Sequence, residues 1–497
     1  MSRLAQARSL LFAVALLCGG CTTLEQWVSN GLKVGPNFHE PPAKVSLDWI
    51  DAGDPRIVHP PANRDDWWQV FDDSALNSLI ETARQENLDL KTAALHVIEA
   101  RSQRNITAGN LLPQSQNALA EYARAQISQN LGPFGALGST LSVWATGFNA
   151  SWELDLWGRL RRDVESSNAK FGASVEGYRD VLVTLLADVA TNYVQIRTAQ
   201  QRIAYARRNL EIQQGSLRLA RARFKEGKAT SLDVEQARSN LAQTESTIPL
   251  LVISLRQAND RLCVLLGSSP QDLVAGLKEA PVPTAPLDVA VGIPVDLLDR
   301  RPDVRQALRD AAAQCAQIGV AEADFFPRFG VSGFIGYTAD DIRHLLVEKS
   351  FTAYVLPSFQ WKILNYGRIV NNVRVQDARF QQKVLQYHKS VLNAGREVED
   401  ALVGFLQSQL QARSLAESVE AGQRSVELVL AQYREGLVDF NRVFTTQTLL
   451  VTQQDQLAVA RGNIALNLIA VYRALGGGWQ ALDSGSARLL PPCEVKK

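Results

Sequence analysis

Few residues of this chain stand at spacings that could do chemistry. Five cysteines stand at 18, 21, 263, 315 and 493; the one CxxC spacing, Cys18 to Cys21, closes the N-terminal apolar run, and no histidine lies nearby at metal-ligand spacing, so neither a zinc site nor a disulfide framework follows. The five histidines, at 39, 59, 96, 344 and 388, are scattered in mostly polar surroundings and read as solvated or satisfied side chains. Glu397, Glu399 and Asp400 could be read as a general acid and base. On a long amphipathic helix, however, such a cluster reads as a solvated or lumen-facing patch. The run Gly476 to Gly478 is a helix stop rather than a phosphate cradle, and no nucleophile elbow, HExxH, P-loop or Rossmann glycine pattern occurs. No catalysis, cofactor or metal is expected. That leaves Cys21, as an acceptor of acyl chains.

Cys21 follows Arg3 and Arg8, an apolar run from Leu10 to Leu17, and the small residues Gly19 and Gly20. This is the order of a bacterial secretory signal, too short to span as a mature helix, with 1–20 removed and Cys21 becoming the lipidated N-terminus. The segment resembles a lipobox, although Cys18 stands where Leu is usual. Thr22 is not the inner-membrane retention residue Asp, so delivery to the outer membrane is expected. With 52 Lys plus Arg against 51 Asp plus Glu, the net charge of +1 argues against nucleic-acid binding. An apolar share of 46 % against 21 % charged residues marks a folded chain.

Beyond residue 22 no window approaches the ~18 apolar residues a spanning helix needs, so further membrane contact must be β. Period-two alternation places Trp144, Thr146, Phe148, Ala150 and Trp152 on one strand face. A second strand carries Phe351, Ala353, Val355, Pro357, Phe359 and Trp361 on one face. Weaker partners lie around Gln116 to Ile127 and Phe329 to Tyr337, which makes four strands. Trp144, Phe148, Trp152, Phe359 and Trp361 are the candidate membrane-interface residues.

The chain repeats internally. Trp152, Gly158, Arg159, Glu226, Gly227, Leu266 and Gly267 recur 209 residues later as Trp361, Gly367, Arg368, Glu435, Gly436, Leu475 and Gly476. Asp89 and Pro113 recur 214 residues later as Asp303 and Pro327, so the length difference falls inside the strand hairpin. Each half reads helix, β-hairpin, long helix, turn, long helix. The first long helix carries a heptad from Leu182 to Phe224, polar only at Asn192 and Gln213, and the seam recurs from Val391 to Tyr433. At ~1.5 Å per residue such a helix extends about 100 Å. The expected segments are a signal peptide (1–20), a lipid-anchored extended segment (21–73), a first repeat (74–267, hairpin about 115–157), a linker (268–293), a second repeat (294–476, hairpin about 328–366) and a tail (477–497).

The repeat, its hairpins, Val34-Gly35-Pro36-Asn37-Phe38, Trp67-Trp68, the segment Gly319 to Arg328, Tyr366-Gly367-Arg368 and the segment Glu397 to Leu402 together resemble the TolC-like outer-membrane factors. Within these the chain is similar to the lipoprotein branch typified by OprM and NodT. The resemblance implies a mostly helical homotrimer with a transmembrane β part. Four strands per protomer would contribute to a 12-stranded barrel, continued by a long periplasmic α-helical barrel. It also implies an exit duct for tripartite efflux or type I secretion, docked onto a periplasmic membrane-fusion adaptor and, through it, an inner-membrane transporter. Oligomerisation follows from physics too, because four strands cannot close a barrel and open edges are not tolerated in lipid.

The turns at Gly227 with Thr230 and at Gly436 with Val438 are the expected periplasmic tip and adaptor contact. Family members commonly carry aspartates just after the second tip; here Arg442 and Thr445 stand at those places. Counting on from Gly436, Asp439 is the first carboxylate, and Asp439 with Arg442 at i,i+3 reach is the expected constriction, closed by mixed charge. The alternative is a lipid-anchored periplasmic adaptor or a coiled-coil structural lipoprotein. An adaptor would show one helical hairpin flanked by β-rich modules, whereas this chain shows two hairpins and amphipathic strands.

Overall fold

The computed structural model describes residues 24–58, 65–126, 140–277 and 279–480. The signal segment and Cys21 lie outside them, as does the end of the tail. In chain order the elements are α1 (Leu24–Ser29), β1 (Ile57–Val58), a 3-10 turn (Trp67–Phe71), α2 (Ser74–Glu86), α3 (Leu88–Gly109), β2 (Ser115–Gln126), β3 (Thr140–Leu154), α4 (Arg159–Lys225) and α5 (Ser231–Leu265). After α6 (Leu273–Leu277) and β4 (Val289–Ala290), the order recurs as α7 (Asp296–Arg300), α8 (Pro302–Glu322), β5 (Arg328–Ala339), β6 (Phe351–Gln360), α9 (Arg368–Glu435) and α10 (Phe440–Ala474). The chain divides into two compact units, one of residues 1–42, 97–174 and 307–387, the other of 43–96, 175–306 and 388–497.

The first unit holds one antiparallel sheet in the order β2-β3-β5-β6. The two hairpins expected from sequence are therefore joined side by side, through β3 and β5, from Trp144 opposite Ala339 to Leu154 opposite Phe329. The strands stop earlier than the expected hairpins: β3 ends at Leu154 and β6 at Gln360, so Trp361 stands just past its strand instead of on its face. Its indole N–H donates to the Phe325 carbonyl at 2.9 Å, and that of Trp152 to the Leu111 carbonyl at 3.2 Å. The donors are 209 residues apart and the acceptors 214, so the duplication is repeated bond for bond.

The second unit is built on helix packing. Of the first heptad series, all but Leu210 and Phe224 are buried, and of the second all but Leu415 and Gly422. The duplication recurs at the helix ends. The Asn87 side chain donates to the Leu265 carbonyl (2.9 Å), which closes α5, and Arg301 donates to the Ala474 carbonyl (3.0 Å), which closes α10. The segments expected as an extended arm and a linker contain structure of their own. β1 and β4 pair in parallel, Ile57 opposite Val289, and Trp67 stacks on Tyr472 with ring centroids 5.5 Å apart. A buried chain of polar groups holds the start of α2 to α4. Arg197 donates to the Tyr193 hydroxyl (3.0 Å), which donates to Asp73 (2.6 Å), and the Asp73 carboxylate also caps α2 through Ala75 N–H. Burial, then the Asp73 bond, pushes the Tyr193 phenol up to about 12.

Candidate channel wall, anchor clasp and helix tips

Residues directly opposite in an antiparallel sheet share a face. Phe148 pairs with Ala118 and Ile335, and Phe359 with Phe329, which itself pairs with Leu154. One face thus gathers Trp144, Phe148 and Trp152 with Val331, Ile335, Val355 and Phe359, and Phe148 and Phe359 are 65 % and 62 % exposed on it. Trp144 packs against Tyr122 with ring centroids 4.4 Å apart along the same face. The opposite face carries Asn117, Glu121, Asn149, Ser151, Ser332, Thr338, Ser358 and Gln360, with Phe334 and Tyr354 in contact at its middle. β2 and β6 are the sheet edges, and Pro357, which lacks a backbone N–H, sits in one of them.

The Val34-Gly35-Pro36-Asn37 motif is held by a residue the sequence reading missed. Arg162, in the first turn of α4, has no exposed surface. Its guanidinium donates to the carbonyls of Val34 (3.0 Å) and Gly35 (2.8 Å), to the Asn37 side chain (3.0 Å) and to Glu165 (2.8 Å). Gly35 has φ +83°, and a Cβ there would stand 2.3 Å from the Gly319 Cα, so two backbones touch where only glycine fits. Just upstream, Trp27 packs against Trp157 with its ring tilted (5.4 Å), and Trp157 stacks on Phe326 (4.6 Å). A clasp of this kind has no signal in periodicity, because its partners are more than a hundred residues apart.

The two turns between long helices are built alike. Gly227 N–H donates to Phe224 O and Lys228 N–H to Arg223 O; 209 residues on, Gly436 N–H donates to Tyr433 O and Leu437 N–H to Gln432 O. Both are Schellman closures, which require the left-handed φ of +74° and +80° found at the two glycines. Thr230 then caps α5 in a reciprocal box with Asp233, and Asp439 caps α10 by accepting the Arg442 backbone N–H at 3.2 Å. Within the chain, among the described residues, no ion pair joins the Asp439 and Arg442 side chains, because capping turns the carboxylate to the Arg442 backbone N–H; the constriction expected of the two concerns contacts between copies. Val438 packs against the apolar cluster of Leu217, Ala220, Ala237, Val429, Tyr433, Phe440 and Val443. Leu232 and Leu437, which sequence reading did not single out, stand 63 % and 75 % exposed on these turns.

The acidic cluster on α9 is structural. Glu397 pairs with Arg301 (2.8 Å), Glu399 accepts the Ile50 N–H (3.0 Å), and Asp400 pairs with Arg396 (2.7 Å). Burial opposes the Arg301 charge, but Asp303 and Glu397 more than offset it and hold the guanidinium ionised. Asp180 lines the same cavity of about 600 Å³. Burial, then the Asp303 charge, raises its pKa against the opposing pull of Arg301 and Arg473. Among the described residues no group of side chains could hold a metal ion, and no helix is long and apolar enough to cross a membrane.

The family described as "Outer membrane efflux protein" matches residues 79–268 and 293–477, once for each repeat. The probable efflux pump outer membrane protein SepC of Pseudomonas putida is 30 % identical over 470 residues, covering 92 % of this chain and 96 % of that one. The cation efflux system protein CusC of Escherichia coli is 30 % identical over 486 residues, 95 % of this chain and 98 % of that one. The solved outer-membrane channel OprN superposes with a TM-score of 0.85 at 31 % identity, over 90 % of this chain and 99 % of that one. A twice-matched family model, near-complete coverage and the four-stranded sheet with paired helical hairpins lead to one conclusion: this chain belongs to the outer membrane efflux protein family and is a non-enzymatic, TolC-like efflux channel of the outer membrane.

Proposed function

We propose that three copies of this chain close a single 12-stranded barrel in the outer membrane, continued by a periplasmic tunnel of helices, as the exit duct of a tripartite pump. The observation that carries this is the sheet itself, which has one exposed apolar face, one polar face and two unpaired edges. Hydrocarbon leaves no other partner for those edge N–H and C=O groups than a neighbouring copy. In this reading Cys21 carries the lipid, and the clasp at Arg162 holds the anchored segment where it enters the fold. The turns at Gly227, Thr230, Gly436 and Val438, with exposed Leu232 and Leu437, meet the periplasmic adaptor, and an inner-membrane transporter is reached through it. Relatives are named for toluene, antibiotic and cation efflux, a spread of cargo that fits a generic duct and leaves selection to the transporter. Type I secretion is the second use such a duct allows.

Spin labels test the reading. Labels at 148 and 359 should report lipid and labels at 149 and 358 water, in outer-membrane fractions where the protein runs as a heat-dissociable trimer. Reversed accessibility, or a monomer throughout, would overturn it.

A further inference from the structure

The assembly proposed above leaves open how β6 of one copy meets β2 of the next, and the internal register narrows the choice. Straight across the sheet runs the row Ser115, Ser151, Ser332, Leu356. If Leu356 faced the next copy's Ser115, the barrel would close without stagger and its strands could not tilt. All the stagger must therefore enter at the seam, the same amount in each of three copies.

Three independent constraints act on that step. Parity is the first: the apolar face holds even-numbered residues of β2 and odd-numbered residues of β6, so the step must be an even number of residues or the faces invert. Chain ends are the second. A step toward lower numbers would set β6 against residues before Ser115, which belong to α3 and its closing turn. Tilt is the third. With a rise of about 3.4 Å per residue and strands about 4.8 Å apart, steps of two, four and six residues give tilts of about 20°, 35° and 47°. The first is far too shallow for the usual range of about 35–45°, while the second stands at its lower edge and the third at its upper edge, so the side chains that meet must choose between four and six.

We propose that β6 of each protomer pairs with β2 of the next copy of this chain with Leu356 opposite Leu119. All ten residues of β6 then find partners, from Phe351 opposite Arg124 to Gln360 opposite Ser115. On the polar face Ser358 meets Asn117 and Tyr354 meets Glu121, while Leu356 meets Leu119. A step of six would instead set Leu356 against Glu121 and Ser358 against Leu119.

Cysteine pairs in the full-length protein, oxidised in outer membranes, read the register directly. Directly opposed Cβ atoms stand about 4.5–5.5 Å apart and diagonal ones about 7–8 Å, so a disulfide distinguishes them. Ser358→Cys with Asn117→Cys should link chains into covalent dimers and trimers at least about fivefold more than Ser358→Cys with Leu119→Cys, or with Ser115→Cys, or than any single variant. Gln360→Cys with Ser115→Cys carries the same test should the first pair fail to reach the membrane. Strongest linking through Leu119→Cys or Ser115→Cys, with the trimer intact, would overturn the register and leave the assembly standing. A heat-dissociable trimer in which none of these pairs links would overturn the β6-to-β2 seam. A monomer from the unsubstituted chain would instead overturn the assembly on which the register rests.

Discussion

Arg162 is the residue whose loss should be felt furthest along the chain. It fixes the Val34 and Gly35 carbonyls and the Asn37 side chain from a fully buried position, and removing it strands three acceptors at once. Arg162→Met is expected to cost about 2–4 kcal/mol and to expose Lys33 to trypsin in folded protein, read by limited proteolysis. Asp180 acts in the opposite sense. A carboxyl whose pKa is higher folded than unfolded favours the fold while it is protonated, at pH below the ordinary carboxylate value, and that contribution is lost as pH rises through the folded value. Burial and Asp303 place Asp180 in this class. Asp180→Asn should therefore raise the thermal midpoint near neutral pH and leave it almost unchanged in acid below the ordinary carboxylate range. Equal shifts at both pH values would contradict the assignment.

At the scale of elements, the seam between the long helices is apolar at both ends and polar between. Asn209 donates to Gln454 (2.7 Å), Gln447 to Ser216 (2.7 Å), and Asn240 to Gln447 (3.2 Å), so α4, α5 and α10 are tied by side-chain amides. Gln213 lies among them in sequence, is 2 % exposed, and neither atom of its amide has a partner. An unsatisfied buried amide costs about 1–3 kcal/mol. Gln213→Leu, close in size, should stabilise the helical region by about that amount in denaturant titration, and a loss of stability would mean the amide has a partner in the assembled state. Heptad periodicity identified both polar positions in the first seam but could not tell them apart. Asn192 accepts from Arg261 at 2.9 Å across to α5, whereas Gln213 has no such neighbour.

For the whole molecule, the constriction expected at Asp439 and Arg442 of three copies can be tested without unfolding the tip. Because the Asp439 carboxylate caps α10, Asp439→Asn removes its charge while keeping a good cap, and so separates electrostatics from folding. Closure by packing and mixed charge predicts that Arg442→Ala raises single-channel conductance and that trivalent cations block only weakly from the periplasmic side. Planar-bilayer recordings check both. Tight trivalent block abolished by Asp439→Asn would show instead that three carboxylates form a ring.

What the sequence by itself determined is whatever repeats at short range. The period of two in the strands, the period of three and four in the helices, the glycines that must turn left-handed at Gly227 and Gly436, and the 209-residue echo between the halves each follow from local sterics and burial, which a linear pattern records. Only the tertiary structure decided the contacts that join distant segments: β3 beside β5, Arg162 on the carbonyls of Val34 and Gly35, and Arg301 capping α10 where Asn87 caps α5. It also showed Asp439 as the cap of α10. The reason is geometric. A hydrogen bond between residues 128 apart leaves no period in the chain, and a carboxylate at a helix start can reach either a backbone N–H or a guanidinium three residues on. The direction of the first helical turn chooses between them.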